Sequence, residues 1–203
     1  MDDPRLAALG QFTPEGALTP GYGDHYLFMV GRDDVHGILH YLITRETMGF
    51  KLNMFGYDDD QLNEDIVTLL KNPGVAVQAS LDRSQAGGVH EKKLLALDEA
   101  ADPGFYNSFV ILESATHQIS HTKGGVFTAQ GLGFEGSTNW SGSGEGSGIA
   151  LDPKAKPASG YKAQNNTFLV SANPVFLARF AARLDTEHLT GLRQTATTQP
   201  KAG

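Results

Sequence analysis

Apolar residues recur along the chain in two rhythms, one typical of buried strands and the other of amphipathic helices. Short apolar runs predict strands at residues 25–30, 51–55, 75–81, 109–112 and 167–170. Apolar residues spaced three and four apart predict helices between and after these runs. Their predicted buried positions are Val35, Ile38, Leu39, Leu42 and Ile43, then Leu62, Ile66, Leu69 and Leu70, and finally Val175, Leu177, Phe180, Ala181 and Leu184. The alternation of strands and helices predicts an α/β fold with a mixed, largely parallel sheet flanked by helices on both faces.

Acidic residues precede two of the predicted helices. Asp33 and Asp34 stand before the first, and the run 58–60 (DDD) stands before the second. Three adjacent carboxylates could suggest a metal site, but acids at a helix start are explained by capping and by the helix dipole. We therefore interpret these residues as helix caps.

The boundaries of the chain are predicted from composition. Residues 1–24 are rich in Gly, Pro and Thr and predict an irregular arm, 25–190 a single domain, and 191–203 a flexible tail. Residues 137–160 are rich in Gly and Ser, and this composition is compatible with a flexible linker or with an ordered loop. Because the run begins beside the polar residues discussed below, we favour a loop at the mouth of a pocket.

Charge and composition limit the partners of the protein. The formal net charge of −7 argues against indiscriminate coating of a polyanion, so any nucleic-acid contact should be confined to a local site. The chain has no cysteine, which excludes disulfides and thiolate metal ligands. Its acidic, proline-containing start does not have the pattern of a secretory signal, and no apolar run has the length of a membrane span. We expect a soluble, cytoplasmic protein without stable membrane insertion.

The candidate chemistry lies between residues 119 and 141. A strand predicted at 119–127 carries His121 and Lys123. A second strand predicted at 132–136 leads into the run 136–139 (GSTN), which ends at Asn139. Side chains two residues apart leave the same face of an extended backbone. A histidine, an ammonium group, a hydroxyl and an amide are the groups that a phosphodiester requires for attack and for charge stabilisation.

At these residues the sequence resembles the phospholipase D superfamily, whose signature is His-x-Lys, four residues, Asp, then six residues to Gly-Ser-x-Asn. His121 and Lys123 match its first half, and Gly136, Ser137 and Asn139 match its second half. Thr128 stands where the signature has Asp, and the spacer that follows is one residue longer. Residues 75–88 and 163–188 are also similar to the strand-loop and closing strand-helix segments of the superfamily.

The resemblance implies a phosphodiesterase with a phospholipase D-like fold and no metal or cofactor. In the superfamily, the histidine of one motif attacks phosphorus to form a phosphohistidine, and the histidine of a second motif protonates the leaving oxygen. This chain has one motif, so the resemblance implies a homodimer in which both copies of His121 share one site, with Lys123 and Asn139 as further catalytic residues and Gly136 and Ser137 as substrate-binding residues.

The resemblance leaves the substrate open. Small single-motif members are usually nucleases, which favours DNA or RNA. A phospholipase D or phosphatidyl transferase would use the same site, and the departures from the signature leave a catalytically silent phosphate-binding module as a further alternative.

Several side roles also stay open in the sequence. Relatives often carry a Glu that orients the histidine where this chain has Asn166, and Glu135 or Glu145 could replace it. Trp140 could stack on a base at the pocket rim or pack in the core. His117 and His121 are four apart, about 13 Å on a strand, which is too far for one zinc ion.

Overall fold

The structure, a computed structural model, describes residues 2–84, 87–99, 107–113, 120–147 and 162–198. Its main element is a seven-stranded sheet with the order β1-β9-β7-β6-β2-β4-β5, and β3 and β8 form a separate parallel pair. The strands are β1 (His25–Met29), β2 (Gly49–Met54), β3 (Tyr57–Asp58), β4 (Ala76–Asp82), β5 (Ser108–Leu112), β6 (Gly124–Phe127), β7 (Leu132–Gly136), β8 (Trp140–Ser141) and β9 (Thr167–Ser171).

The α/β class is confirmed, but the prediction of a largely parallel sheet is wrong. Within the described part of the seven-stranded sheet, β2-β4 and β4-β5 are parallel, while the pairs β2-β6, β6-β7, β7-β9 and β1-β9 are antiparallel. The parallel half is formed by the strands that helices connect, as the sequence pattern indicated. The antiparallel half arises because a tight turn joins β6 to β7 and because β1 pairs with β9, a strand distant from it in sequence.

One face of the sheet carries the apolar core. Helices α2 (Val35–Thr44), α3 (Asp60–Leu70) and α4 (Val89–Glu99) contribute to it, and all of the predicted buried positions of α2 and α3 are buried. Asp34 caps α2 by accepting from the amide of Gly37 at 2.9 Å, and Asp59 caps α3 by accepting from that of Leu62 at 2.8 Å. The interpretation of these acids as caps is confirmed for both residues.

The opposite face of the sheet is covered by one long helix, α5 (Pro174–Thr198), which packs apolar side chains on glycines of β6 and β7 and also makes polar contacts. Lys51 of β2 pairs with Asp185 at 2.5 Å, and both ring nitrogens of His188 bond serine hydroxyls of β4 and β5. Leu184 is buried as predicted, whereas Val175 is 59% exposed. The helix passes the predicted start of the flexible tail at residue 191. Among the helices of the described segments, none has the length and apolar character to cross a membrane.

The first residues of the chain belong to the core, which differs from the prediction of an irregular arm. Helix α1 (Pro4–Ala7) and a 3-10 turn (Ala8–Phe12) bury Leu6 and Leu9 completely. Arg5 donates to the carbonyl of Gly131 at 2.7 Å, which attaches the segment to the β6-β7 turn. The segment is too short to show a helical repeat of apolar residues in the sequence, because two buried leucines do not define a periodic pattern.

Candidate functional site

The three predicted catalytic side chains meet around the loop that follows β2. The ring of His121 lies edge-on to that of Phe55, with centroids 4.5 Å apart, and Nζ of Lys123 lies 5.0 Å from the Phe55 centroid. The neighbouring amide of Gly56 donates to Oδ1 of Asn139 at 3.3 Å. Residues distant in sequence are thus brought to one short loop.

His121 and Lys123 precede a strand instead of lying within one. Strand β6 begins at Gly124, and residue 119, the predicted strand start, lies outside the described residues. The segment is fixed at its start because the amide of Ser120 donates to Oδ2 of the buried Asp82 at 2.7 Å. Nζ of Lys123 then donates to the carbonyl of His121 at 2.9 Å.

The two side chains differ in their exposure. His121 is exposed at the surface, whereas Lys123 is only 4% exposed. Burial lowers the pKa of the Lys123 amine from its ordinary value because a desolvated ammonium group is penalised. An exposed imidazole beside a partly desolvated ammonium group suits a site that binds an anionic ester at the protein surface.

The turn at 136–139 is held by the first residue of β9. The backbone carbonyl of Thr167 accepts from the Ser137 amide at 3.1 Å and from the Thr138 hydroxyl at 3.0 Å, while the Thr167 amide donates to the Ser137 hydroxyl at 3.0 Å. A Cβ on Gly136 would approach the Thr167 carbonyl oxygen to 2.1 Å, so only glycine fits there. These contacts place Asn139 against Gly56.

Asn139 also lines a surface cavity of about 500 Å³ together with Phe55, Gly56 and Ser141. Since its Oδ1 accepts from Gly56, Nδ2 is the group available as a donor to an oxygen in the cavity. Two acids, Asp58 and Glu91, also line this cavity. Burial raises the pKa of Glu91, which favours its neutral form.

Trp140 does not lie at the rim of this cavity, and the stacking role considered from the sequence is contradicted. Its side chain is 1% exposed and stacks with Phe50 and Phe134, with centroids 6.4 Å away in each case. The backbone of Trp140 pairs with Tyr57, because β8 and β3 are parallel neighbours. The indole therefore packs in the core beneath the site, which was the other role that the sequence left open.

Asn166 does not orient the ring of His121. Its Oδ1 accepts from the Ser137 hydroxyl at 3.1 Å, and its Nδ2 donates to the carbonyl of Gly144 at 3.0 Å and to Oε1 of Gln164 at 3.1 Å. Both ends of the amide are occupied. Asn166 therefore holds the turn at Ser137 and the glycine-rich loop together.

The two candidate glutamates also point elsewhere. Glu135 pairs with Gly124 across β6 and β7, so its side chain shares the face of Gly124, on which α5 packs, and lies opposite that of Lys123. Glu145 is fully buried, its Oε2 accepts from the Ser141 amide at 2.6 Å, and its Oε1 accepts from no donor among the described residues. Neither oxygen of Glu145 therefore bonds to His121.

Glu145 lies in a π-helical turn, Gly142–Gly146, which is the described part of the glycine- and serine-rich run. Residues 148–161 of that run lie outside the described residues. Burial and the neighbouring Asp59 raise the pKa of Glu145 to about 10. Burial would raise the pKa of Asp59, but hydrogen bonds with His36 and Glu145 outweigh this effect and lower it to about 2. Glu145 is therefore the proton-carrying member of a buried carboxyl pair.

Sequence reasoning missed Phe55, Gly56 and Asp82. Each stands at or just beyond the carboxyl end of β2 or β4, which run parallel, and ligands of α/β sheets collect at such ends. The positions could have been suspected for that reason. Thr128, which replaces the signature Asp, is exposed in the β6-β7 turn, and its amide donates to the carbonyl of Gly49 at 2.8 Å.

Comparisons with known proteins identify the fold. No protein-family model and no curated protein matches the sequence. Among solved structures, NucT from Helicobacter pylori is similar with a TM-score of 0.60 and 13% identity, over 80% of this chain and 94% of that chain. Nuc from Salmonella typhimurium, a phospholipase D family member, gives a TM-score of 0.57 and 11% identity over 83% and 97%.

Phosphatidylserine synthase from Haemophilus influenzae Rd KW20 gives a TM-score of 0.58 and 10% identity, over 92% of this chain and 40% of that chain. At such identities the likeness concerns the fold. The chain has the phospholipase D-like fold that its motif predicted.

Proposed function

We propose that the protein is a phosphodiesterase whose reacting group is the imidazole of His121. The observation that carries this proposal is the convergence of His121, Lys123 and Asn139 on the Phe55–Gly56 loop at an exposed position. The fold supports it, since a phospholipase D family member has the same arrangement of elements over most of its length.

Each group has a defined task in the proposed reaction. A ring nitrogen of one His121 attacks phosphorus, forming an N–P bond while the bond from phosphorus to the leaving oxygen breaks. A second, protonated histidine gives its proton to that oxygen. Lys123 and the Nδ2 group of Asn139 stabilise the negative charge on the remaining oxygens. Water then cleaves the N–P bond, the second histidine accepts its proton, and the first imidazole is restored.

The second histidine comes, in this proposal, from another copy of the chain. His121 is exposed, so a twofold axis close to it would bring two imidazoles to one phosphate. The chain has one His-x-Lys triplet that is followed by a Gly-Ser-x-Asn element, and a complete site therefore requires two chains. We propose a homodimer with one shared site.

Nucleic acid is the substrate class that we favour. The cavity beside Asn139 is open to the surface, and its volume of about 500 Å³ accommodates a nucleotide-sized group. Its acids, Asp58 and Glu91, oppose a general attraction for polyanions, so binding should depend on the local contacts of Lys123 and Asn139. Choline or another head group released from a phospholipid, without nucleotide release, would instead identify a phospholipase D or phosphatidyl transferase.

One observation favours the alternative of a silent phosphate-binding module. Within the described ranges, no carboxylate lies within 4.0 Å of a ring nitrogen of His121. An imidazole without a carboxylate partner is less fixed in its tautomer and less stabilised as a cation. The dimer could supply that partner, and a cleavage assay separates the two functions.

The first experiment measures cleavage of single-stranded DNA, RNA and bis(p-nitrophenyl) phosphate by the full chain in excess EDTA. His121→Ala should lower the rate by at least about 10³-fold, as expected for loss of a nucleophile. His25→Ala, at an exposed histidine on β1, is the matched control and should leave the rate unchanged. Phosphate binding without any turnover would identify the silent module, and an active His121→Ala variant would refute the site.

The second experiment tests the shared site. Wild-type and His121→Ala chains are mixed in varied proportions, exchanged under mild denaturant and assayed. If each site needs both imidazoles, the activity falls as the square of the wild-type fraction, because mixed dimers are inactive. A fall proportional to the wild-type fraction would show that each chain works alone.

A further inference from the structure

A second cluster of reactive side chains lies away from His121, where α2, α3 and the π-helical turn meet. It consists of His36 at the start of α2, Asp59 at the cap of α3 and Glu145 in the turn. One ligand atom from each residue lies within 4.8 Å of the others. We infer that these three side chains form a binding site for a divalent transition-metal ion, with zinc or manganese as the class of ligand.

The spacing of the donor atoms fits one cation. Nε2 of His36 and Oδ1 of Asp59 are 3.3 Å apart. This distance is long for a hydrogen bond, whereas two ligands of a tetrahedral zinc, each at about 2.1 Å, are separated by about 3.4 Å. One imidazole with two carboxylates is a donor set that zinc and manganese accept, and a solvent molecule would complete the coordination.

The buried glutamate provides an independent reason to expect a ligand. Glu145 is fully buried, and its Oε1 accepts no hydrogen bond from any donor in the described segments. A buried carboxylate oxygen without a partner is costly, and a second carboxylate beside it adds repulsion. Without an ion, Glu145 avoids this repulsion by keeping its proton. A divalent cation that displaces this proton would bind the Oε1 atom and compensate the charges of both carboxylates.

The backbone is arranged to bring this carboxylate inside. π-Helical turns are rare and are frequently found at functional sites. In the turn, Gly144 has no room for a side chain, because a Cβ would lie 2.3 Å from the carbonyl oxygen of Asn139, and Gly146 has a φ of +78°. These glycines let Glu145 reach His36 and Asp59.

A bound ion would have a structural role. It would connect the turn that follows Asn139 to α2 and α3, and His36, with 19% of its side chain exposed, provides a path from solvent. The ion would not contact the His121 imidazole, which packs on Phe55, so the inference is independent of the proposed phosphodiesterase.

A neighbouring pair on the same helices offers a matched control. Nδ1 of His40, one turn along α2 from His36, bonds Oδ2 of Asp65 at 2.7 Å. In the segments that the structure describes, His36, Asp59 and Glu145 are the one group of three that could hold an ion. His40→Ala should therefore remove a histidine–aspartate contact between α2 and α3 without removing a ligand.

The test uses the full chain without an affinity tag, stripped with a chelator and dialysed against ZnCl₂ or MnCl₂. Elemental analysis should find one equivalent of metal per chain, and the Tm should rise by several degrees with added metal. Glu145→Gln, which keeps the shape and neutralises the group, and His36→Ala should each weaken binding at least tenfold and abolish the Tm shift. His40→Ala should bind metal as the wild type does.

Two outcomes would overturn the inference. The first is a wild-type chain that retains neither metal and shows no Tm shift, in which case Asp59 and Glu145 simply share a proton. The second is metal binding that Glu145→Gln leaves unchanged, which would place the ion elsewhere. Because Glu145→Gln keeps a neutral side chain in the same space, its Tm without metal reports whether it folds, so misfolding cannot imitate the expected result.

Discussion

Lys123 lies over the ring of Phe55, with its ammonium nitrogen 5.0 Å from the ring centroid, and it does so almost completely shielded from water. The aromatic face compensates part of the desolvation of the cation. This contact places a positive charge where a phosphoryl oxygen could bind, and it makes the protonation of Lys123 depend on the fold.

The first prediction concerns stability at alkaline pH. Burial holds the pKa of Lys123 below its ordinary value of 10.5, so between the folded pKa and 10.5 the unfolded chain binds more protons than the folded chain. The free energy of unfolding should therefore gain a contribution that increases as pH rises through that window. Lys123→Met should remove this contribution, and Lys92→Met, on an exposed position of α4, should keep it. Denaturant titrations across the alkaline range measure the free energy of unfolding of both variants. If Lys123→Met showed the same dependence on pH as the wild type, the prediction would be contradicted.

The second prediction concerns His188 at the interface of α5. Its ring bonds the hydroxyls of Ser80 at 3.1 Å and Ser108 at 2.8 Å, and burial lowers its pKa below 6.5. Because the folded pKa is depressed, the stability contribution is present above 6.5 and is lost as pH falls through the folded pKa. His188→Gln keeps a neutral hydrogen-bonding group and should flatten this acid-side loss.

His25→Gln is the control for the His188 variant, since His25 is exposed on β1. Its free energy of unfolding, measured by urea denaturation, should fall on acidification as that of the wild type does. An acid-side loss that persists unchanged in His188→Gln would show that other groups cause it.

The third prediction tests the packing of Gly136 on β9. Gly136→Ala would bring a Cβ to 2.1 Å from the Thr167 carbonyl oxygen, and overpacking of this kind costs about 1–3 kcal/mol. The same displacement should move Asn139. The rate of cleavage should therefore fall by more than the loss of folded protein alone would explain. Gly74→Ala, at an exposed turn outside the cavity lining where an added Cβ would meet only the side-chain oxygen of Asn72 at 3.3 Å, should affect both properties much less. Thermal unfolding and initial rates give the two readouts.

The fourth prediction uses Trp140, the single tryptophan of the chain, as a fluorescent probe. Its emission should be blue-shifted, resistant to quenching by acrylamide and unaffected by added oligonucleotide, because the indole is buried. Trp140→Ala should cost about 3–5 kcal/mol, as for other large core truncations. Trp140→Phe should cost much less, since it also removes a buried indole N–H that has no hydrogen-bond acceptor in the part of the chain that the structure describes. Emission typical of a hydrated indole would contradict this placement.

Local periodicity explains what could be predicted of the fold. The five buried positions of α2 and the cap at Asp34 were predicted because helix amphipathicity and capping are encoded within about one turn of the residue concerned. The pairing of β1 with β9 could not be read in this way, since strand partners are chosen by contacts between residues distant in sequence. The predicted parallel character failed for the same reason.

The candidate site was predictable only in its chemistry. His121, Lys123 and Asn139 were selected by residue type and spacing, and the structure places them around Phe55 and Gly56. No local pattern relates Glu145 to His36, because a π-helical turn and two helices must first assemble. Asn166 likewise took a structural role that depends on where β9 begins.

The first strand of the sheet in sequence order pairs with the last one. Strand β1 is an edge strand whose one neighbour is β9, so residues 25–29 must await residues 167–171. During synthesis, the backbone of that first strand and the core side chain of Phe28 stay without their partner strand until residues 167–171 have also been made. Such long-range closure slows folding, and it predicts that nascent chains arrested before residue 167 depend on chaperones to stay soluble.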